Sequence, residues 1–293
     1  MRMLSRTGVA GALAAAALVA GCGSDGDSAE RSSAGTAGTP EAGGAELNLV
    51  RDGELTACVD PTYPPLEYYG TNKEFTGYDI AMAKAVSEKL GVEPVFKQMA
   101  FSGILPALDA GRCDWTLAGT FVNPERTARF IAVPYHNTTS VIMVKAGNPA
   151  GIQSPDDLAG KTVVTQNGTD LLKLAKKISK DLEAKGQPPA NVQGYEKFEE
   201  AIQQLVVGRA DAVITQDIDA SYRDLRQPGT FEAVYSFPDK QVFGTYFTQD
   251  NEALADAVHG ILEELESSGE LRKLAEQEGM PADGIAVEEP ITG

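Results

Sequence analysis

Polar, aromatic and charged side chains follow several segments that have the pattern of buried strands. Asp60 and Tyr63 come just after one such segment, and Arg126 lies shortly after another. A guanidinium group can hold a carboxylate through two parallel hydrogen bonds, and aromatic rings offer apolar area and cation–π attraction. Residues of these types, placed together, would bind a small polar solute. The candidate ligand-binding residues from this pattern are Asp60, Tyr63, Gly119, Thr120, Phe121, Arg126, Gln166, Thr169 and Asp217.

These candidates also have structural explanations that the sequence leaves open. Arg126 could be a surface arginine paired with Glu125, and Asp217 could cap a helix. The aromatic candidates could be core rings. Residues 166–169, between a strand and a helix N-terminus, suit an acceptor such as a carboxylate, but an ordinary capped turn has the same sequence pattern.

Strand-like and helix-like segments alternate along most of the chain. In the first half, strands are predicted at residues 54–59 and 114–118, and helices at 78–90 and from 104 to about 111. The second half repeats the alternation, with strands at 162–165, 192–195 and 210–215 and helices at 170–184 and 198–207. Alternation predicts parallel sheets with right-handed crossovers, in which ligands sit beyond the carboxyl ends of the strands. The predicted fold class is therefore α/β, with two parallel-sheet lobes and a cleft between them.

Two apolar segments at the seams, residues 140–144 and 242–247, are interpreted as the two hinge strands that join the lobes. A helix at 254–277 then returns the chain to the first lobe. The predicted organisation is a signal peptide at 1–21, a flexible tether at 22–46, lobe 1 at 47–143 and 242–280, lobe 2 at 144–241, and a loose tail at 281–293.

The N-terminus has the order of a secretory signal. Arg2 and Arg6 precede an apolar stretch at residues 8–20, and small residues lead up to Cys22. This end resembles the lipobox of bacterial lipoproteins, which implies that Cys22 is acylated and becomes the first residue of the mature chain. Ordinary cleavage with a stray thiol at Cys22 is the alternative. Residues 23–44 are rich in Gly, Ser, Ala and Thr, which favours a flexible tether.

The chain is strongly acidic, with a formal net charge of -17 at pH 7. Removal of residues 1–21 takes away two arginines and no acid, so the mature charge would be -19. Such a surface repels nucleic acid and anionic lipid head groups, and we expect no nucleic-acid partner.

Two further cysteines, Cys58 and Cys113, would lie in an oxidising compartment, and they could form a disulfide or remain two buried thiols. The sequence has no CxxC or HxxxH spacing, and its two histidines, His136 and His259, are isolated from each other. We therefore predict no metal site and no cofactor.

The segments after the predicted strands together resemble the family of polar amino-acid-binding proteins of ABC importers, over residues 47 to about 279. The resemblance rests on DPTYPP (60–65), FTGYDI (75–80), FSGILPAL (101–108), AGTFVNPER (118–126), QNGT (166–169) and GRADAVITQD (208–217). It implies a two-lobed, type II periplasmic-binding-protein-like fold. It also implies a membrane-bound partner, an ABC permease with its ATPase.

The resemblance further implies roles for individual residues. Arg126 would grip the α-carboxylate of the ligand, and Asp217 would pair with its α-ammonium group from the opposite lobe. Tyr63 and Phe101 would sandwich the ligand side chain, with Asp60 facing the side-chain or ammonium end. One departure concerns the family's usual hydroxyl two residues after Gly119, where this chain has Phe121 and carries Thr120 one position earlier. Either Thr120 compensates or the ligand head is held differently.

The predicted function is that of an exported solute-binding protein without enzymatic activity. It would sit at the outer face of the cell membrane, anchored through Cys22, and would capture a small polar solute, expected to be an amino acid, by hinge closure as a monomer. Two alternatives stay open: a ligand sensor without transport, and a dehydratase-like enzyme on the same scaffold.

Overall fold

The computed structural model describes residues 47–293. The predicted signal peptide, Cys22 and the predicted tether at 22–46 lie outside the described residues. Among the residues described, no helix is both long enough and apolar enough to cross a membrane.

The described chain contains eleven strands and eight α-helices. The strands are β1 (Glu54–Val59), β2 (Thr62–Tyr63), β3 (Glu67–Tyr69), β4 (Phe75–Thr76), β5 (Glu93–Gln98), β6 (Trp115–Leu117), β7 (Phe130–Lys145), β8 (Thr162–Gln166), β9 (Asn191–Tyr195), β10 (Ala212–Gln216) and β11 (Phe231–Thr248). The helices are α1 (Tyr78–Leu90), α2 (Phe101–Asp109), α3 (Pro124–Thr127), α4 (Asp170–Ala184), α5 (Phe198–Val206), α6 (Asp217–Arg226), α7 (Glu252–Ser267) and α8 (Glu270–Glu278).

The first lobe is built on a parallel three-stranded sheet in the order β5-β1-β6. Strand β1 lies at its centre and is almost entirely buried, as expected for a parallel strand covered on both faces. The parallel arrangement confirms the fold class that the alternating segments predict.

The second lobe contains a five-stranded mixed sheet in the order β11-β7-β10-β8-β9. Strands β8, β9 and β10 are parallel, whereas β7 runs antiparallel to both β10 and β11. The carboxyl ends of the three parallel strands therefore meet at one edge of the sheet, as they do in the first lobe.

Two long strands connect the lobes. Strands β7 and β11 pair from end to end, with irregular register between Ser236 and Lys240. Near the C-terminal end of β11, Thr245 Oγ1 donates to the Thr116 carbonyl oxygen at 2.6 Å, so this end lies beside β6. The predicted hinge segments thus belong to different lobes: residues 140–144 pair with β10, and residues 242–247 lie beside the first sheet.

Three features differ from the sequence-based expectations. A small antiparallel sheet, β2-β3-β4, follows Asp60 in a region where the sequence predicts no strand. The helix expected at 254–277 is divided into α7 and α8 because Gly269 adopts a left-handed conformation, with φ of 79°. The expected loose tail at 281–293 is docked, since Ile291 exchanges backbone hydrogen bonds with Ala132 of β7 at 2.8 and 3.0 Å.

Cys58 and Cys113 form a disulfide in the first lobe. Cys58 lies in β1, and Cys113 lies just before β6, the neighbouring strand. The bond therefore closes a segment of the chain that includes both α1 and α2.

Candidate ligand-binding site

The carboxyl ends of the parallel strands of both lobes meet at one pocket. The first lobe contributes Tyr63, Phe101, Gly119 and Phe121 to its lining. The second lobe contributes Gln166, Thr169, Asp170, Phe198 and Gln216. This is where open α/β sheets bind their ligands. Six of the ten predicted residues line the pocket: Tyr63, Phe101, Gly119, Phe121, Gln166 and Thr169.

Asp60, the residue that follows β1, does not line the pocket but is a buried acid beside it, held by three donors, two of which belong to the lining residues Phe101 and Gln166. Its Oδ1 accepts from Thr62 Oγ1 at 3.0 Å, and its Oδ2 accepts from the Phe101 amide at 3.1 Å and from Gln166 Nε2 at 2.6 Å. Burial raises the pKa of Asp60, and these hydrogen bonds, together with the charge of Lys197, oppose the rise. Because Gln166 belongs to the second lobe, its bond to Asp60 joins the two lobes.

Tyr63 makes a second connection across the cleft. Its hydroxyl donates to Gln216 Oε1, and its ring lies edge-on to that of Phe198, with centroids 5.0 Å apart. Burial, followed by the charge of Asp219, raises the pKa of Tyr63 well above its ordinary value, so the hydroxyl remains a donor. Phe101 and Phe121 complete a lining of four rings.

Gly119 allows the strand end after β6 to pack closely against neighbouring side chains. Its φ is +51°, and an added Cβ would lie 2.6 Å from Leu66 Cδ1. Both the backbone conformation and the space therefore favour glycine.

Arg126 is buried and already has two acceptors. Its Nη1 donates to the Phe121 carbonyl oxygen and to Asp170 Oδ2, each at 2.6 Å. Arg126 lies in α3, which begins with an N-cap from Asn123, and Asp170 is the first residue of α4 in the other lobe. The arginine that the sequence assigns to a ligand carboxylate thus pairs with a carboxylate of the protein itself.

The two candidate threonines have different environments. Thr169 accepts from the Leu172 amide at 3.2 Å and donates to the Gln166 carbonyl oxygen at 2.7 Å, so its hydroxyl caps α4. Thr120 is buried, and its Oγ1 has no protein partner among the described residues. It lines a neighbouring depression together with Arg126 and does not line the pocket.

Asp217 does not lie where the sequence analysis expects it. It begins α6, and its carboxylate accepts hydrogen bonds from Thr138 Oγ1 at 2.6 Å and Thr139 Oγ1 at 2.9 Å, both on β7. It lines a different depression, away from the pocket residues. The prediction for Asp217 is therefore wrong by one position: the residue that lines the pocket is Gln216, the last residue of β10.

Phe198 and Asp170, which are not among the ten candidate residues, also line the pocket. Phe198 opens the helix after β9, and Asp170 opens the helix after β8. Both follow the carboxyl end of a parallel strand, so the rule that singled out Gln166 could have found them.

A group of possible metal ligands lies apart from the pocket lining. His259, Glu263 and Glu289 have ligand atoms within 4.8 Å of one another, two of them on α7 and one in the docked C-terminal segment. His136, the other histidine, faces the Pro281 carbonyl oxygen at 3.2 Å and does not line the pocket.

Two lobes with a pocket at facing strand ends define the class of two-lobed solute-binding proteins. Residues 55–279 match the family described as bacterial extracellular solute-binding proteins, family 3, and the chain belongs to this family.

Characterised relatives agree with this assignment. The chain is 28% identical over 238 residues to the L-cystine-binding protein TcyJ of Escherichia coli (strain K12), which covers 79% of this chain and 85% of that protein. It is 31% identical over 233 residues to the arginine-binding extracellular protein ArtP of Bacillus subtilis (strain 168), covering 75% of this chain and 84% of ArtP. A solved structure of an ancestral arginine-binding protein bound to arginine matches with a TM-score of 0.70 and 33% identity, over 77% of this chain and 97% of that one.

Proposed function

We propose that this chain is the solute-binding component of an ABC importer and that it closes its two lobes around a small polar solute of the amino-acid class with a positively charged group. Similarity to arginine- and cystine-binding proteins supports the solute class. The sign of the charge is inferred from the pocket itself.

The observation that carries this proposal is the meeting of a buried acid and four aromatic rings at facing strand ends. The acid is Asp60, which is bonded to the lining residue Gln166, and the rings in the lining are those of Tyr63, Phe101, Phe121 and Phe198. Ring faces attract cations, most strongly where water is excluded, and a buried carboxylate does the same. Neither Lys nor Arg is among the described residues that line the pocket.

Closure of the lobes is the proposed mechanism. The contacts Tyr63–Gln216 and Gln166–Asp60 join the two sets of strand ends. A solute bound between these groups would add interactions that exist only in the closed form, and would shift the population towards it. The closed form would then dock on the permease.

We further propose that the chain is exported and held at the membrane as a monomer by lipid on Cys22. The signal-like residues 1–21 and the small residues before Cys22 support this anchoring. Acyl chains contribute about 0.8 kcal/mol for each buried CH₂, so two or three chains retain a protein without a spanning helix. In cells fed a radiolabelled fatty acid, the native chain should carry the label, and Cys22→Ala should be unlabelled and released. A labelled Cys22→Ala protein would contradict the anchor.

Binding without catalysis is the proposed activity. Among the described residues, neither histidine lines the pocket, and the acid in its lining, Asp170, is already paired with Arg126. A dehydratase would need a general acid or base free to reach the ligand.

The proposal is tested by a thermal-shift screen of the purified chain. The panel contains arginine, lysine, ornithine, their decarboxylated amines, cystine and neutral amino acids. A ligand at 100 times its dissociation constant adds about 2.7 kcal/mol to the free energy of unfolding, which raises the melting temperature measurably. A shift confined to positively charged solutes supports the proposal, and no shift with any member of the panel contradicts it.

A further inference from the structure

The carboxylate site that an amino acid would need is occupied by the protein itself. Arg126 Nη1 lies 2.6 Å from Asp170 Oδ2, and both side chains are largely buried. Asn123 Nδ2 adds contacts of 3.2 and 3.3 Å to the two oxygens of the same carboxylate. Asp170 lines the pocket, whereas Arg126 does not, so on the pocket side the charge of Arg126 is already paired with a carboxylate of the protein.

Local structure fixes both partners of this pair. Asp170 is the first residue of α4, where the positive end of the helix favours an acid, and Lys173 Nζ lies 3.5 Å from its Oδ1. Arg126 also donates to the Phe121 carbonyl oxygen, which in turn accepts from the Tyr246 hydroxyl at 2.6 Å. A ligand carboxylate that displaced Asp170 would leave a second negative charge beside it in a closed cleft.

Among the described residues that line the pocket, no side chain carries a positive charge for a carboxylate. The end of β10 supplies the neutral amide of Gln216, and the acid next to it, Asp217, is bonded to threonines outside the pocket. Among the described residues of the lining, Asp170 is the only charged one, and Asp60 is bonded to the lining residue Gln166. With Arg126 paired to Asp170, the described lining carries no unpaired positive charge, and Asp60 adds a buried carboxylate beside it.

We infer that the ligand of this chain is an organic cation without a free carboxylate, an amine or guanidine, and that Asp170 sets this preference by occupying Arg126. The inference rests on the proposed function: it keeps the positively charged solute but replaces the amino acid by the corresponding cation without a carboxylate.

Arginine and agmatine are a matched pair of probes, because they differ only in the carboxylate. Calorimetric titrations would compare both with three forms of the protein: wild type, Asp170→Asn and Asp181→Asn. Asp181 is the control because it lies on the same helix, pairs with Lys177 at 2.6 Å and is half exposed away from the pocket lining. The wild type should bind agmatine at least about tenfold more tightly than arginine. Asp170→Asn removes the carboxylate that pairs with Arg126, so the ratio of agmatine affinity to arginine affinity should shift towards arginine by about tenfold or more. Asp181→Asn should keep the wild-type ratio.

The outcomes separate the inference from the proposed function. The inference fails if the wild type binds arginine as tightly as agmatine, or if Asp170→Asn leaves the ratio unchanged. If only cystine or a neutral amino acid binds, the inference also fails, but the chain is still a solute-binding protein. If no solute of the panel binds, the proposed function fails instead. Should Asp170→Asn not fold, the wild-type ratio alone decides.

Discussion

Replacement of Asp60 by asparagine isolates the charge that we propose attracts the solute. The shape of the side chain is kept, and the hydrogen bonds can be kept as well. The amide oxygen can accept from the Phe101 amide and Gln166 Nε2, as Oδ2 does now, and the amide nitrogen can donate to Thr62 Oγ1. The substitution therefore removes one negative charge with little other change.

The expected loss of affinity is large. A cation 4 Å from a carboxylate gains about 4 kcal/mol at an effective dielectric constant of about 20, and desolvation of the ligand offsets part of this. A charged hydrogen bond is worth about 1.5 to 3 kcal/mol, so Asp60→Asn should weaken agmatine binding by about 10- to 150-fold. The free protein should be as stable as wild type or more stable, because burial raises the pKa of Asp60 and so opposes its charge.

The assay is calorimetric titration with agmatine at several pH values, with a thermal melt of each free protein. Protonated Asp60 carries no charge, so wild-type affinity should fall as the pH is lowered through its raised pKa, and Asp60→Asn should lack this fall. Asp217→Asn is the matched control, because Asp217 lies outside the pocket, and it should bind like wild type. The proposed role of the Asp60 charge is wrong if folded Asp60→Asn binds agmatine within about twofold of the wild-type affinity.

Three further predictions concern the stability of the first lobe. Burial raises the pKa of Asp79 from 3.8 to about 6, so between these pH values the native state holds a proton that the unfolded chain has lost. As the pH rises from about 4 to about 6, this group should therefore lower the free energy of unfolding by about 3 kcal/mol. Urea unfolding across this range should show that fall, and Asp79→Asn should remove this contribution. Reduction of the Cys58–Cys113 disulfide, whose cysteines are 55 residues apart, should destabilise the protein by about 2 to 4 kcal/mol, and an unchanged urea midpoint after reduction would contradict this. Gly119→Ala should lower the melting temperature, because its Cβ would meet Leu66, and a melting temperature equal to that of wild type would show that the loop adjusts freely.

Local sequence signals predicted some elements well. The helices at Tyr78–Leu90 and Asp170–Ala184 have the bounds that the sequence indicated. The first ends at Gly91 in a left-handed conformation, and the second begins after Thr169, whose hydroxyl accepts from Leu172. Such caps act through neighbouring residues, so a single sequence contains them.

Features that depend on distant pairing were missed. Strand β7 extends through His136 to Thr139, a polar stretch without an apolar pattern, because its whole length pairs with β11. The shift from Asp217 to Gln216 has a similar origin. Which end-of-strand side chain lines the pocket depends on where β10 stops and α6 begins, and that boundary depends on contacts between Asp217 and β7. The pairing of Arg126 with Asp170 joins two lobes and has no local sequence signal.

Native mass spectrometry would identify the solute that this chain binds. The purified chain would be mixed with an equimolar pool of basic amino acids, their amines, cystine and neutral amino acids, and the bound mass would be read from the intact complex. We expect one cationic solute in a 1:1 complex with the wild type. Asp217→Asn should form the same complex, and Asp60→Asn should form little or none of it. No bound solute, or a solute held equally well by Asp60→Asn, would contradict this expectation.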